Sequence, residues 1–453
     1  MTRHSLLTGA LLAAALSLAA RSAIAQDYRP DRPYNGVFAP RRSNGGHQFE
    51  IDWAAMTAHD DNLTAEPELV SDPRGGFGGG WGSAEASVRY TYEGQRTHLR
   101  ATASGRDRYY PSLSNLSGVD AGGEFGASFD MSRNIRLSLS QAVRFQPYYQ
   151  LTFVPSGSGS LGAAAPIDPS DVEISTPNTP AADDPLRPAN ARTINGGVGY
   201  AQKIGLKSRI ALDYSYRLTS LADRGVPYFS QNLNALITRG LTRYAALRLG
   251  YGHGRSSGII DVDGRTTTVR GAPQPLLTTH NVDVGIAYSR PLSRSRRTAF
   301  SFSTGSSVIS DGDDSQYRLL LSATLAREIG RSWVANVDYR RGVTLIEGIA
   351  GPAYADTVRV RFGGFIARRV DVGATTGYAK GYVGLTTATG SYATYAETAD
   401  LRIALSRNFS FVTEYGYYHY DFDPIVDLPF GIGHSQNRQS IRFGISGWLP
   451  IVR

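Results

Sequence analysis

Apolar and polar side chains alternate along most of this chain, in stretches of about 10 to 14 residues. In one such stretch, Ile135, Leu137 and Leu139 fall on one side of an extended chain. Arg136 and Ser138 fall on the other side. A period of two residues is typical of a β-strand whose two faces meet different surroundings. The stretches predict about 18 strands, at 47–57, 82–92, 97–109, 121–131, 134–146, 192–203, 208–219, 228–238, 242–254, 279–289, 298–309, 316–327, 332–345, 354–367, 370–383, 392–405, 408–420 and 437–448.

The connections between these stretches alternate strictly between short and long. Short segments such as Met131–Asn134 and Leu405–Asn408 fit tight hairpin turns, whereas the longer segments between them fit larger loops. An even strand number with this wiring is typical of barrels that cross a bacterial outer membrane. The pattern predicts an all-β fold: a transmembrane up-and-down antiparallel β-barrel, with the short turns and both termini on the periplasmic side.

Aromatic residues gather near the ends of several predicted strands, as at Tyr90, Tyr92, Tyr415 and Tyr417. In a membrane barrel they fit the aromatic girdles at the two interfaces. In a soluble β-sandwich or propeller they would fit cross-strand pairs, and alternation alone does not exclude that fold. A soluble sheet of this size needs a second layer to cover its Leu, Val and Phe side chains. The sequence predicts no such layer, which favours the membrane barrel.

The first 25 residues have the features of a cleaved secretory signal peptide. Arg3 precedes an apolar run at 6–20, and the small residues Ala23 and Ala25 lead to Gln26. A membrane anchor is disfavoured because this run is shorter than the roughly 20 residues that a helical span requires. The predicted division is a signal peptide at 1–25, a periplasmic N-terminal tail at 26–46 and an outer-membrane barrel domain at 47–453.

Composition narrows the classes of protein further. The absence of cysteine excludes disulfides, thiolate metal sites and a lipid-modified cysteine. The 50 Gly, 26 Tyr and only 3 Met suit strands and turns rather than membrane helices, as does the mean hydropathy of -0.26. The net charge of +8 comes from basic residues scattered along the strands instead of gathered in one patch. We therefore expect no nucleic-acid partner.

Sequence motifs for catalysis, cofactors or metals are weak. Gly254–Gly258 matches G-x-S-x-G and Gly157–Gly162 matches G-x-G-x-x-G, but neither has the predicted strand and helix that these motifs require. The histidines are dispersed without metal-ligand spacing, and the acidic segment Asp311–Asp314 lacks the spacing of a calcium loop. We expect no enzyme activity, no cofactor and no metal.

The charged residues of the strands alternate with the apolar ones. A basic side chain facing lipid near the membrane midplane costs about 2 to 4 kcal/mol, so the predicted position of these charges is the lumen. They either form ion-pair ladders that brace the wall or line a water-filled channel that selects anionic solutes, and both can hold. The predicted pore-lining residues are Arg89, Arg100, Arg136, Arg144, Arg209, Arg217, Arg248, Arg340, Arg359, Arg361, Arg402 and Arg442. The predicted inward carboxylates are Glu85, Glu124, Asp130, Asp213, Asp283, Asp338, Asp400 and Glu414.

An 18-stranded barrel is too wide for side chains to fill its lumen. The lumen is therefore either open or obstructed by the chain itself. The candidate obstruction is the segment 147–190, which contains eight prolines and many small residues. It predicts either a constriction loop inside the barrel or a lid outside it.

Two local features resemble one known family. His59–Asn62 follows the first predicted strand, and the turn Ser132–Asn134 is repeated at Ser406–Asn408. In these features and in its strand pattern, most of the chain resembles the β-barrel porins that accompany exopolysaccharide export systems in Gram-negative bacteria. The resemblance implies a polysaccharide outlet that works with periplasmic export proteins.

Four functions remain open at this point. The first is the polysaccharide outlet, for which aromatic side chains inside the lumen would stack on sugar rings. The second is a passive solute porin with anion preference. The third is an outer-membrane hydrolase, and the fourth is a surface-interaction barrel. The candidate lumen aromatics are Tyr418, Tyr420, Phe365 and Trp448, and the candidate hydrolytic residues at the outer rim are His59, Asp60, Asp61 and His419.

These functions share one predicted location and set of partners. The barrel is expected in the outer membrane, surrounded by lipid and lipopolysaccharide. Its permeant is expected to be a saccharide or a small anion.

Overall fold

The computed structural model describes the barrel and parts of its connections. The described residues are 46–62, 78–111, 117–150, 186–205, 207–221, 228–242, 244–257, 276–293, 298–311, 314–330, 332–345, 352–383, 390–426, 428 and 434–452. The predicted signal peptide, nearly all of the N-terminal tail and most of 147–190 lie outside these residues. Within the described ranges, no helix is long and apolar enough to cross a membrane.

The described residues form eighteen β-strands. They are β1 (His47–Asp60), β2 (Gly79–Glu93), β3 (Thr97–Tyr109), β4 (Gly118–Asp130), β5 (Ile135–Gln150), β6 (Leu186–Ile204), β7 (Ser208–Leu221), β8 (Tyr228–Gly240), β9 (Ala245–Ser257), β10 (Leu276–Ser293), β11 (Thr298–Asp311), β12 (Asp314–Ile329), β13 (Trp333–Leu345), β14 (Pro352–Ala367), β15 (Val370–Val383), β16 (Gly390–Ala404), β17 (Phe409–Phe422) and β18 (Ser435–Val452).

Each strand pairs antiparallel with the next one along the chain, and β18 pairs with β1. The last pairing closes the sheet, with Asp60 opposite Ser440 and Asp52 opposite Trp448. Closure satisfies the backbone hydrogen bonds of both terminal strands and leaves no sheet edge. The predicted 18-stranded antiparallel barrel is confirmed.

The two faces of the wall differ in chemistry. Large apolar side chains are exposed on one face, for example Leu247, Leu249 and Tyr251 on β9 and Ile441 and Phe443 on β18. Residues at the alternate positions of each strand are mostly small, polar or charged. Because side chains alternate between the faces, we call odd or even position along a strand its parity. The exposed apolar face is the outside of the barrel, since such a continuous apolar surface suits lipid and not water. We call the opposite face the inner wall.

Short turns lie at one end of the barrel, which we call the turn end; the other is the loop end. In two of these turns the backbone N–H of an asparagine donates to the hydroxyl of the serine two residues before it. Asn134 donates to Ser132 and Asn408 to Ser406, both at 3.2 Å. Two others contain a glycine with positive φ, Gly205 at 64° and Gly330 at 67°, a conformation that side chains disfavour.

The structure corrects two details of the predicted pattern. Strand β9 begins at Ala245 and not at 242, because Thr242 forms the preceding turn and its hydroxyl accepts the backbone N–H of Ala245 at 3.0 Å. The connection lengths do not alternate strictly. At the loop end, β11 pairs with β12 up to Asp311 and Asp314, so only two residues connect these strands.

Candidate functional site

The twelve predicted arginines all fall on the inner wall: eleven alternate with the exposed apolar residues of their strands, and Arg402 on β16 lies opposite the buried Asp371 on β15. For example, Arg359 and Arg361 alternate with the outward Val358 on β14, and Arg248 lies between the outward Leu247 and Leu249 on β9. The arginines differ in exposure. Arg248 and Arg442 are buried, Arg361 and Arg402 are exposed, and Arg359 is half-buried.

The inner wall carries further charges that the predicted set omits. Arg438 has the parity of Arg442, and Arg106 and Arg108 have the parity of Arg100, so alternation alone would have identified them. Asp120 lies one residue before the predicted start of β4. The carboxylates added by the structure include Glu50, Asp52, Asp60, Asp120, Glu328 and Asp371. The excess of arginine is therefore smaller than the sequence predicts.

A cluster of buried charged and aromatic side chains lies where the last strand, β18, pairs with the first strand, β1. Asp60 on β1 accepts hydrogen bonds from Arg438 on β18 (3.1 Å) and from the indole N–H of Trp81 on β2 (2.5 Å). The guanidinium carbons of Arg108 and Arg442 lie 5.5 and 5.2 Å from the Trp81 ring centre. These five residues, which we call the seam cluster, are at most 5% exposed. Their interactions brace the wall across β18, β1, β2 and β3.

A row of aromatic rings continues beside the seam cluster. Tyr418, Tyr420 and Phe422 alternate along the inner wall on β17, and Tyr392 on β16 stacks on Phe422 with ring centres 5.4 Å apart. Adjacent rings on β17 lie 5.7 to 5.9 Å apart. All four side chains are at most 2% exposed. Of the predicted lumen aromatics, Tyr418 and Tyr420 thus lie on the inner wall but offer no open ring surface.

Residue Val426, in the connection between β17 and β18, packs on the inner side of β16. An added Cβ at Gly390, which has the inward parity of Tyr392, would collide with the Val426 side chain. The backbone of Val426 is held by Asp423, whose carbonyl accepts its N–H at 2.9 Å, and Val426 is itself buried. The described residues 423–426 of this connection therefore lie over the loop end of the aromatic row.

Several other inner-wall arginines are held by carboxylates. Each of these pairs joins neighbouring strands, so the arginine braces the wall as well as facing inward. The pairs are Arg136–Asp130 at 2.6 Å, Arg106–Glu85 at 2.8 Å, Arg144–Asp120 at 3.5 Å and Arg89–Glu50 at 3.8 Å.

Arg359 and Arg361 on β14 differ from these arginines. Neither forms an ion pair within 4.0 Å with any described residue. On β15, the residues opposite them are Gly377 and Thr375, which carry no charge. On β13, Asp338 lies opposite Arg359, but its carboxylate accepts hydrogen bonds at 2.9 Å from Thr324 and Asn336 instead. Arg361 is exposed and Arg359 half-buried, and neither guanidinium is held by a described carboxylate within ion-pair distance.

The predicted hydrolytic residues do not converge. Asp60 points inward and is fully buried in the seam cluster. His59 and His419 have the outward parity of their strands, and His419 Nδ1 lies 3.2 Å from the Gln436 carbonyl oxygen. A nucleophile, a base and an orienting group within hydrogen-bond reach are required for such chemistry. This arrangement does not provide them.

The candidate metal ligands and the G-x-S-x-G motif do not form a site among the described residues either. No group of three or more potential metal ligands is found within the described residues. His253 and His280, remote in sequence, face each other across β9 and β10 with ring centres 5.0 Å apart. The first part of the G-x-S-x-G match, Gly254–Ser257, lies in strand β9. Its serine is therefore not on a strand-to-helix turn.

Comparison with known proteins finds likeness only among solved structures. No family model and no curated protein matches the chain. Pseudomonas aeruginosa OpdO covers 90% of this chain and 98% of its own, at 8% identity and a TM-score of 0.43. Acinetobacter baumannii OccAB4 covers 90% and 100%, at 9% identity and a TM-score of 0.44. The outer-membrane expressed OmpT of Vibrio cholerae covers 90% and 99%, at 10% identity and a TM-score of 0.37.

At these identities and TM-scores, the likenesses do not assign a function to this chain. The resemblance to the exopolysaccharide-associated porins, read from the turn sequences, remains a prediction.

Proposed function

We propose that this protein is an outer-membrane channel through which small water-soluble solutes diffuse, with a preference for anions. Its closed wall has an apolar outer face suited to lipid and a polar, charged inner wall suited to water. Barrels with 16 to 18 strands are wide enough to hold an aqueous channel. This proposal includes the outer-membrane location, a turn end that faces the periplasm, and the class of solute.

The observation that carries the anion preference is the pair Arg359 and Arg361. They follow each other on the same face near the middle of β14, about 7 Å apart by strand geometry. Because neither forms an ion pair within 4.0 Å with a described carboxylate, their charge is available to act on the lumen. A narrow aqueous space with walls of low dielectric strengthens the effect of such charges on a passing ion.

Polysaccharide export is the second candidate, which the resemblance suggests. A sugar track requires exposed ring faces on which the saccharide can stack. The rings of Tyr392, Tyr418, Tyr420 and Phe422 are buried, so they do not provide one. Phe365 and Trp448 lie on the inner wall and are half-buried. The geometry therefore favours the diffusion channel over the polysaccharide outlet.

The proposal is tested by the ion selectivity of the purified protein in planar lipid bilayers. Under a potassium chloride gradient, the reversal potential of the wild type should favour chloride. Replacing both residues, Arg359→Ser and Arg361→Ser, should move the reversal potential toward zero or toward cations. Lumen substitutions alter selectivity more than stability, so the variant should still assemble.

Two controls separate charge from structure. The pair Arg359→Lys and Arg361→Lys keeps both charges and should keep the anion preference. Arg136→Ser removes an arginine already neutralised by Asp130 and should change the reversal potential less. A wild-type channel that prefers cations, or a double serine variant with unchanged selectivity, would contradict the anion preference. Absence of conductance would contradict the channel itself.

A further inference from the structure

A charged cluster lies on the outer face of the barrel, where lipid is expected. Arg341 on β13 donates two hydrogen bonds to Asp356 on β14, from Nε at 2.7 Å and from Nη2 at 2.8 Å. The hydroxyl of Tyr339 donates to the same carboxylate at 2.6 Å. Arg341 and Tyr339 share the parity of the outward Val337, and Lys380 on β15 lies opposite Asp356. We call Arg341, Asp356 and Lys380 the outer-face cluster.

The positive charge of this cluster exceeds its negative charge. Both oxygens of Asp356 already accept hydrogen bonds from Arg341. Lys380 forms no ion pair within 4.0 Å with any described residue, although it faces Asp356 across the strand pair. Its side chain is exposed, and Nη1 of Arg341 is not used in the bonds to Asp356. The Lys380 ammonium and Nη1 of Arg341 are therefore two cationic donor groups that Asp356 does not engage.

The height of the cluster explains why such charges are tolerated there. Lys380 lies three residues before the end of β15 and Arg341 four before the end of β13, both in the loop-end third of their strands. A lysine facing lipid costs about 2 to 4 kcal/mol at the midplane and about 0 to 1 kcal/mol near the interface. An ammonium group at that height meets lipid headgroups, and phosphate is the anion that Arg and Lys bind there.

Two exposed tyrosines flank the lysine on the same face. Tyr378 and Tyr382 lie two residues before and after Lys380 and are 42% and 53% exposed. Exposed tyrosines on either side of a cation suit a ligand with both sugar and phosphate groups. A glycerophospholipid headgroup offers the phosphate without the sugar ring for stacking.

We propose that Arg341 and Lys380 bind a phosphate of a phosphorylated glycolipid in the outer leaflet, with Tyr378 and Tyr382 against its sugar. Asp356 holds the Arg341 guanidinium in place by two hydrogen bonds. The inference rests on the proposed outer-membrane location, with the loop end outward. It assigns the outer surface of β13 to β15 to lipid recognition, separate from the inner wall.

Native mass spectrometry of the full-length protein in detergent tests the site. The probes are diphosphoryl lipid A, the same lipid A without its phosphates, and phosphatidylglycerol. The wild type should retain diphosphoryl lipid A in preference to the other two. Lys380→Gln should lower its retention about tenfold, the size expected for losing a hydrogen bond between charged groups, and Lys380→Arg should restore it.

Lys207→Gln is the matched control, because Lys207 lies in the turn between β6 and β7 at the other end of the barrel. It should retain lipid A as the wild type does. Equal retention of the phosphorylated and dephosphorylated lipids, no effect of Lys380→Gln, or preference for phosphatidylglycerol would each overturn the inference. Bilayer conductance of Lys380→Gln should equal that of the wild type. If the wild type conducts ions but does not bind lipid A, only the lipid site is overturned. If the wild type does not conduct, the proposed channel is overturned.

Discussion

Arginines lie on the inner wall both in the seam cluster and on β14, but the two groups differ in burial and in ion pairing. At the seam, Arg438 and Arg442 are buried, at 3% and 4% exposure, and contact Asp60, Glu414 and the Trp81 ring. On β14, Arg361 is exposed and Arg359 half-buried, and neither forms an ion pair within 4.0 Å with a described residue.

The difference separates two uses of the same residue type. A buried guanidinium requires a carboxylate or a ring beside it, because an uncompensated charge away from water is very costly. An arginine in contact with water has no such requirement, since water solvates its charge. Position on the inner wall is thus not sufficient to assign an arginine a role in the proposed channel, because its neighbouring carboxylates and rings also matter.

The largest expected effect comes from removing the carboxylate of the seam cluster. Asp60→Ala removes the carboxylate that pairs with the buried Arg438 and accepts the Trp81 indole N–H. Breaking a buried ion pair by deleting one partner costs about 3 to 5 kcal/mol. The free energy of unfolding, measured by denaturant titration in lipid vesicles, should fall by that amount. A loss below about 1 kcal/mol would show that the cluster does not brace the barrel.

A smaller effect is expected from the ring of the same cluster. Trp81→Phe keeps an aromatic face beside Arg108 and Arg442 but removes the donor to Asp60. A hydrogen bond to a charged group contributes about 1.5 to 3 kcal/mol, so the unfolding free energy should fall by about 2 kcal/mol. Trp53→Phe, on the outer face against Phe409, is the control and should cost less. Equal losses for the two variants would count against a specific role of the indole N–H.

The smallest expected effect sharpens the comparison between buried and exposed pairs. Asp130 and Arg136 form a two-point ion pair at the turn end, at 2.6 and 3.1 Å, with side chains 28% and 29% exposed. Solvated ion pairs contribute about 0 to 1 kcal/mol, so Asp130→Ala should lower the unfolding free energy by no more than that. If Asp130→Ala cost as much as Asp60→Ala, burial would not be what distinguishes the seam cluster.

Much of the fold followed from the sequence, because alternation is a local property of an extended chain. A period of two assigns each side chain to one face before any strand partner is known. This is why the eighteen strands and the inward parity of Arg359 could be predicted. The same parity identifies Arg438, which our predicted set omitted. The exact connection lengths were less accessible, because the turn at Thr242 and the short link between β11 and β12 depend on pairing.

Only the tertiary structure decided which inward charges meet. Asp60 and Arg438 lie 378 residues apart in the chain and come together because β18 closes on β1. Arg359 has Asp338 opposite it, yet Thr324 and Asn336 take that carboxylate. Parity states the face of a side chain, whereas register, closure and competing donors determine its partners and exposure. The sequence therefore determined which face the arginines occupy, and the closed barrel determined which of them form ion pairs with carboxylates on neighbouring strands.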